Sequence, residues 1–139
     1  MSRLSLLVVL LSGVGFLGGV AAAQDVLPSG LFSHDTLTAR ASGSTEIRQM
    51  MTGNTHAGYR IDLHETALAA GQMPHAPHKH VHEEMLLIRE GTLEVTVKGR
   101  TERLGPGSAV YIASNEEHGW KNVGSSQAKY FVLALGEDK

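Results

Sequence analysis

The chain has 139 residues, enough for one domain with a sizeable core but not two. Its formal charge is −2, its sequence pI is near 6.4, and no basic stripe appears, so composition gives no support for a nucleic-acid partner. Cysteine is absent, which excludes thiolate metal sites, disulfide scaffolds and a cysteine nucleophile.

The chain opens with one early cation, Arg3, followed by an apolar run from Leu4 to Val20 and a small-residue end at Ala21, Ala22 and Ala23. This is the layout of a secretory signal peptide over residues 1–23, cleaved after Ala23. The competing reading is an uncleaved anchor, but the run falls just short of a full span and its glycines favour cleavage. No cysteine follows for a lipid anchor, and a single arginine does not support the twin-arginine route. The expected product begins at Gln24, is exported to the periplasm or the medium, and has no stable membrane association once cleaved.

Residues 24–51 read as an N-terminal arm with a possible edge strand at "STEIRQMM" (44–51), and residues 52–139 as a β-domain. A turn signal, "TGNTHAG", comes next. In "YRIDLHETAL", Tyr59, Ile61 and Leu63 alternate with Arg60, Asp62 and His64, the period of a half-buried strand. Farther on, Leu93, Val95 and Val97 point one way and Glu94, Thr96 and Lys98 the other. "KGR" makes a hairpin tip, "GPG" (105–107) a tight turn, and "KYFVLALG" is apolar on both faces, as a buried strand would be. No helical stripe follows residue 24. Short strands with frequent turns predict an all-β sandwich or barrel.

Between these strands lies "HAPHKHVHEE" (75–84), which holds His75, His78, His80, His82, Glu83 and Glu84. Imidazoles and carboxylates this dense point to a metal. If His78, His80, His82 and Glu84 formed one unbroken strand, they would share a face. The ends of that strand would then lie about 20 Å apart, too far for one ion. Either fewer residues bind, or the chain turns between His80 and Glu84. A turn would leave His82 and Glu83 away from the metal.

At this point the chain resembles the cupins, and among them the small bacterial members with a single conserved barrel. Gly71, His78, His80, Glu84 and Gly91 fill the first cupin motif, with six rather than five residues between Gly71 and His78. Gly107, His118 and Asn122 fill the second in "GSAVYIASNEEHGWKN". Ala113 stands where proline is usual and Asn115 where glycine is usual. Both departures concern turn geometry, and asparagine tolerates positive φ. The resemblance covers Tyr59 to Leu135. It implies a double-stranded β-helix (a jelly-roll barrel) with His78, His80, Glu84 and His118 holding one divalent transition metal: Fe, Mn, Ni, Cu or Zn.

Three neutral imidazoles and one carboxylate would leave such an ion with net +1 and open positions for oxygen or a bidentate molecule. The resemblance therefore implies an enzyme acting on a small organic molecule. A dioxygenase-like oxidoreductase comes first, with a decarboxylase or isomerase behind it. The alternative is a non-catalytic module that binds a metal or small ligand, because fold does not fix function. Catalytic residues are not identified. Glu116, Glu117 and His82 are weak candidates, the first two reading more simply as a solvated loop. His75 reads as a surface residue, and His64 and His56 as solvent-facing. Tyr59 and Tyr111 read as core or barrel-wall residues, and Trp120 as core. A homodimer through the arm or sheet edges is expected.

Overall fold

The computed structural model describes residues 26–137. The signal-peptide reading therefore lies outside the described residues. Among the described residues a 3-10 turn at His34–Thr36 is followed by nine strands: β1 (Arg40–Ser42), β2 (Thr45–Asn54), β3 (Arg60–Leu68), β4 (Glu83–Glu90), β5 (Leu93–Val97), β6 (Arg100–Leu104), β7 (Ala109–Ile112), β8 (His118–Asn122) and β9 (Ala128–Leu135). They form a six-stranded sheet, β1-β2-β3-β9-β4-β7, and a three-stranded sheet, β6-β5-β8, both antiparallel. This is the all-β barrel that the resemblance implies. The possible edge strand at 44–51 is β2, one place in from the edge of the sheet. β1 forms the sheet edge, and β2 runs on to Asn54, paired with β3 along its length apart from a bulge between Gln49 and Met51.

The core follows from strand parity. Leu86 and Ile88 of β4, Tyr130 and Val132 of β9, Leu93 and Val95 of β5, and Trp120 of β8 close on one another between the sheets. β9 lies between β3 and β4, in keeping with a strand that is apolar on both faces. The β5–β6 hairpin turns on Lys98 and Gly99, both at positive φ (51° and 76°), the conformation a two-residue turn of this hand needs.

For β3 the period is right and the direction is inverted. Asp62 lies in register with Ala134 and Glu84, and Thr66 with Tyr130 and Ile88. The polar residues Asp62, His64 and Thr66 therefore face inward, and Ile61 and Leu63 face outward. The outer face is itself apolar: Leu63 sits in a row with Leu133, Met85 and Tyr111. Tyr59 and Tyr111 are exposed rather than packed in the core or wall (69% and 54%).

Candidate metal centre

The histidine-rich segment is neither one strand nor a strand pair. His78 forms an isolated antiparallel bridge with His118, residues 81–82 bend, and β4 begins at Glu83. The turn falls where metal geometry required it, although Glu83 belongs to the strand and not to the turn. The bridge brings the two motifs together. The His78 amide donates to the His118 carbonyl at 3.0 Å, and the His118 amide to the His78 carbonyl at 2.9 Å. A glycine suits this close approach, because a Cβ on Gly119 would crowd Pro77, lying 3.2 Å from its Cα. The Asn115 amide donates to the His80 carbonyl at 2.7 Å, and Asn115 takes the left-handed conformation (φ 61°) open to asparagine at the usual glycine position. At the end of the first motif Gly91 (φ 82°) has no room for a Cβ, which would meet Ala128 at 2.7 Å.

His78, His80 and His118 bring their ring nitrogens within 4.8 Å of one another, a group that can hold a metal ion. Two of these rings are fixed by backbone. His80 Nδ1 lies 2.8 Å from the His82 carbonyl and His118 Nδ1 lies 2.8 Å from the Glu116 carbonyl. With Nδ1–H donating to those oxygens, each Nε2 carries a lone pair pointed into the site. Glu84 Oε2 stands 3.3 Å from His118 Nε2 and 3.5 Å from His80 Nε2. Both Glu84 Oε2 and His118 Nε2 are buried without a hydrogen-bond partner. Lone pair facing lone pair in a buried site is unfavourable unless a cation lies between them. Ligand atoms on one ion with bonds of about 2.1 Å lie roughly 3.0–3.5 Å apart when adjacent, so the residues present fit a divalent metal.

The surrounding side chains hold this arrangement. The His82 ring stacks on His80 at 3.5 Å, so this weak catalytic candidate supports a ring of the cluster. His118 stacks on Trp120 at 6.1 Å, and Trp120 Nε1 donates to the Tyr130 hydroxyl at 2.8 Å. Burial first, and then the Glu84 charge, push the Tyr130 phenol far above its usual range, so it stays neutral. His78 is held below the usual histidine range, first by partial desolvation of its ring and then by the neighbouring His75, His118 and His80. Asn122, fully buried, donates to the Leu68 and Ser126 carbonyls and accepts from the Gly124 amide, so its role is to tie strands together.

Glu116 contributes its backbone carbonyl, while its side chain pairs with Lys98 at 2.9 Å, and Glu117 is exposed. His75 is exposed at the rim, with its ring 4.2 Å from that of His78, and His56 is exposed. His64 is the pocket residue that the sequence reading misplaced. Instead of facing solvent it lines a pocket of about 320 Å3 together with Thr66, Glu84, Trp120 and Tyr130. Its place in the motif-free strand β3 carried no signal; only strand register reveals it.

The family model Cupin_2, described as a cupin domain, matches residues 64–134, half of the chain. No curated protein matches the sequence. Among solved structures, a predicted oxalate decarboxylase from Thermotoga maritima aligns with TM-score 0.68 at 16% identity, covering 78% of this chain and 100% of its own. The polyketide cyclase RemF from Streptomyces resistomycificus aligns with TM-score 0.67 at 22% identity, over 80% of this chain and 82% of its own. KdgF from Halomonas sp. aligns with TM-score 0.67 at 17% identity, over 80% and 97%. These likenesses show a shared fold. With its two motifs, its barrel and the match over residues 64–134, this chain belongs to the Cupin_2 family of cupin domains.

Proposed function

We propose that the protein is an exported, metal-dependent enzyme acting on a small organic molecule, with dioxygenase-like chemistry ahead of decarboxylation or isomerisation. One observation carries this reading: Glu84 Oε2 and His118 Nε2 face each other, buried and unpartnered, and Glu84 also lines a small pocket. His78, His80, Glu84 and His118 would hold the ion. The bound ion would supply Lewis acidity and, for iron, copper or manganese, access to redox chemistry. The chain's own contribution is to fix the ligand lone pairs through the His82 and Glu116 carbonyls and to surround the substrate with Trp120, Tyr130 and Val132, which limit water.

The experiment is oxygen uptake by protein loaded with Fe(II), Mn(II), Ni(II), Cu(II) or Zn(II) in turn, against a panel of small hydroxylated and carbonyl compounds. Turnover with one metal, lost in His80→Ala, supports the reading. Binding without turnover in every loaded form would favour the alternative, a metal or small-ligand binding module. Export predicts a mature N-terminus at Gln24 in protein from the exported fraction. We also propose a homodimer, supported by the outward row of Leu63, Leu133 and Met85 and by exposed Leu31 and Phe32 on the arm. A light-scattering mass of a single mature chain would contradict it.

A further inference from the structure

We propose that His64 is the proton acceptor of the pocket, and that its ligand is a small neutral molecule carrying an ionisable hydroxyl (an enol or phenol) beside a second oxygen. This rests on the metal-centre reading above and adds a residue and a substrate class to it.

The argument begins on β3. His64 Nδ1 lies 3.1 Å from Asp62 Oδ1, and Gln49 Nε2 donates to the same Asp62 oxygen at 3.0 Å across the strand pair. The side chain of Gln49 sits beside the bulge between Gln49 and Met51, where it also reaches the Met51 and Leu63 carbonyls. Burial raises the Asp62 carboxyl, but hydrogen bonds from Gln49, His64 and Thr52 outweigh it and hold Asp62 below its ordinary value, so it is ionised. A carboxylate on Nδ1 fixes the proton there and leaves Nε2 as an acceptor. His64 lines the pocket, and Asp62, two residues before it on the same face of β3, is not part of the lining. A partly buried imidazole backed by an oriented carboxylate is the arrangement of a general base.

The pocket sets the substrate class. Glu84 lies on the same inner face two strands away, which puts the Cα atoms of His64 and Glu84 about 12 Å apart with both side chains on one cavity. A small molecule fits between them. Among the described residues, no lysine or arginine lines this pocket. A phosphate ester, or a polycarboxylate with more charge than the metal itself can take, would enter without a cationic side chain to receive it. A neutral protic molecule avoids that cost by losing its proton inside. The O–H bond breaks, the electron pair stays on oxygen, and the proton goes to His64 Nε2. Asp62 neutralises the resulting imidazolium. A divalent ion with Glu84 would leave the centre with net +1, which favours the new oxyanion.

The experiment uses zinc-loaded full-length protein and two probes. Catechol must lose protons to chelate, whereas oxalate arrives already ionised. His64→Gln is expected to weaken catechol binding about tenfold or more and to leave oxalate within about twofold, as loss of one charge-assisted contact would. Asp62→Asn should act in the same direction, more weakly. In 15N spectra of the imidazoles, wild-type His64 should carry its proton on Nδ1 when free and on both nitrogens with catechol bound, and Asp62→Asn should disturb the free tautomer. Equal losses for both probes, no loss for either, a failure of the wild type to bind catechol, or a free His64 protonated on Nε2 would overturn the proposal. Zinc content measured on the same samples separates this from failure of the metal centre, which would show as protein that takes up no zinc.

Discussion

Two carboxylates lie buried on strands either side of β9. Glu65 of β3 points outward, and its side chain is completely covered. Arg89 Nη1 donates to it at 2.9 Å and His34, from the arm, approaches at 3.2 Å. Glu84 of β4 points inward, is almost as buried, and faces imidazole lone pairs with its Oε2 unpartnered. Burial alone therefore does not mark a site. The Glu65 charge is satisfied by the fold, which pins the arm to the outer sheet. The Glu84 charge is left for something the chain does not supply.

The largest expected break in this comparison is in metal content. His118→Ala and Glu84→Gln should each lose tightly bound metal, whereas His75→Ala should keep it, as read by elemental analysis after dialysis. Metal at a hundred times its Kd should add about 2.7 kcal/mol to the stability of the wild type and nothing comparable to His118→Ala. Equal loss in His118→Ala and His75→Ala would mean that the ligands are wrongly assigned.

Next comes stability without metal. Glu65→Gln should cost about 2 kcal/mol in denaturant unfolding, less than a fully buried pair because Arg89 is partly exposed. Glu84→Gln in metal-free protein should cost under about 0.5 kcal/mol or stabilise, because it removes an unpaired buried charge. Reversal of that order would contradict the comparison.

Acid should sharpen it. His78 is held below the ordinary histidine range, so below about pH 6.5 the unfolded chain binds more protons than the folded one. Metal-free protein should therefore lose stability as pH falls through that value, and bound metal should be released over the same range as protons compete for the imidazoles. A flat stability profile between pH 7.5 and pH 5.5 would contradict this.

The smallest effect is expected at Gly119. A Cβ there would press on Pro77 at 3.2 Å, so Gly119→Ala should shift the His78 segment and weaken metal binding several-fold while the barrel still folds. Unchanged affinity would show that the segment accommodates the methyl group.

Much of the barrel is legible in the sequence because period-2 alternation and turn residues act locally. Lys98-Gly99, Asn115 and the inward Leu93 and Val95 follow from that chemistry. The grouping of His78, His80 and His118 is legible only through the resemblance to the two cupin motifs, which names those positions. What period cannot supply is direction. β3 alternates cleanly, but both faces of its sheet meet apolar neighbours, so nothing local says that His64 rather than Leu63 turns inward. Glu116 shows a second limit: its contribution is a backbone carbonyl that fixes the His118 tautomer, which no side-chain pattern encodes. Glu65 shows a third, because its partners come from Arg89 and from His34 in the arm, distant in sequence.

The most direct measurement is elemental analysis of protein purified without chelators or a histidine tag, beside His80→Ala. About one equivalent of a transition metal, lost in the variant, is the predicted result. Substoichiometric metal, unchanged in His80→Ala, would contradict the metal centre and leave a ligand-binding barrel.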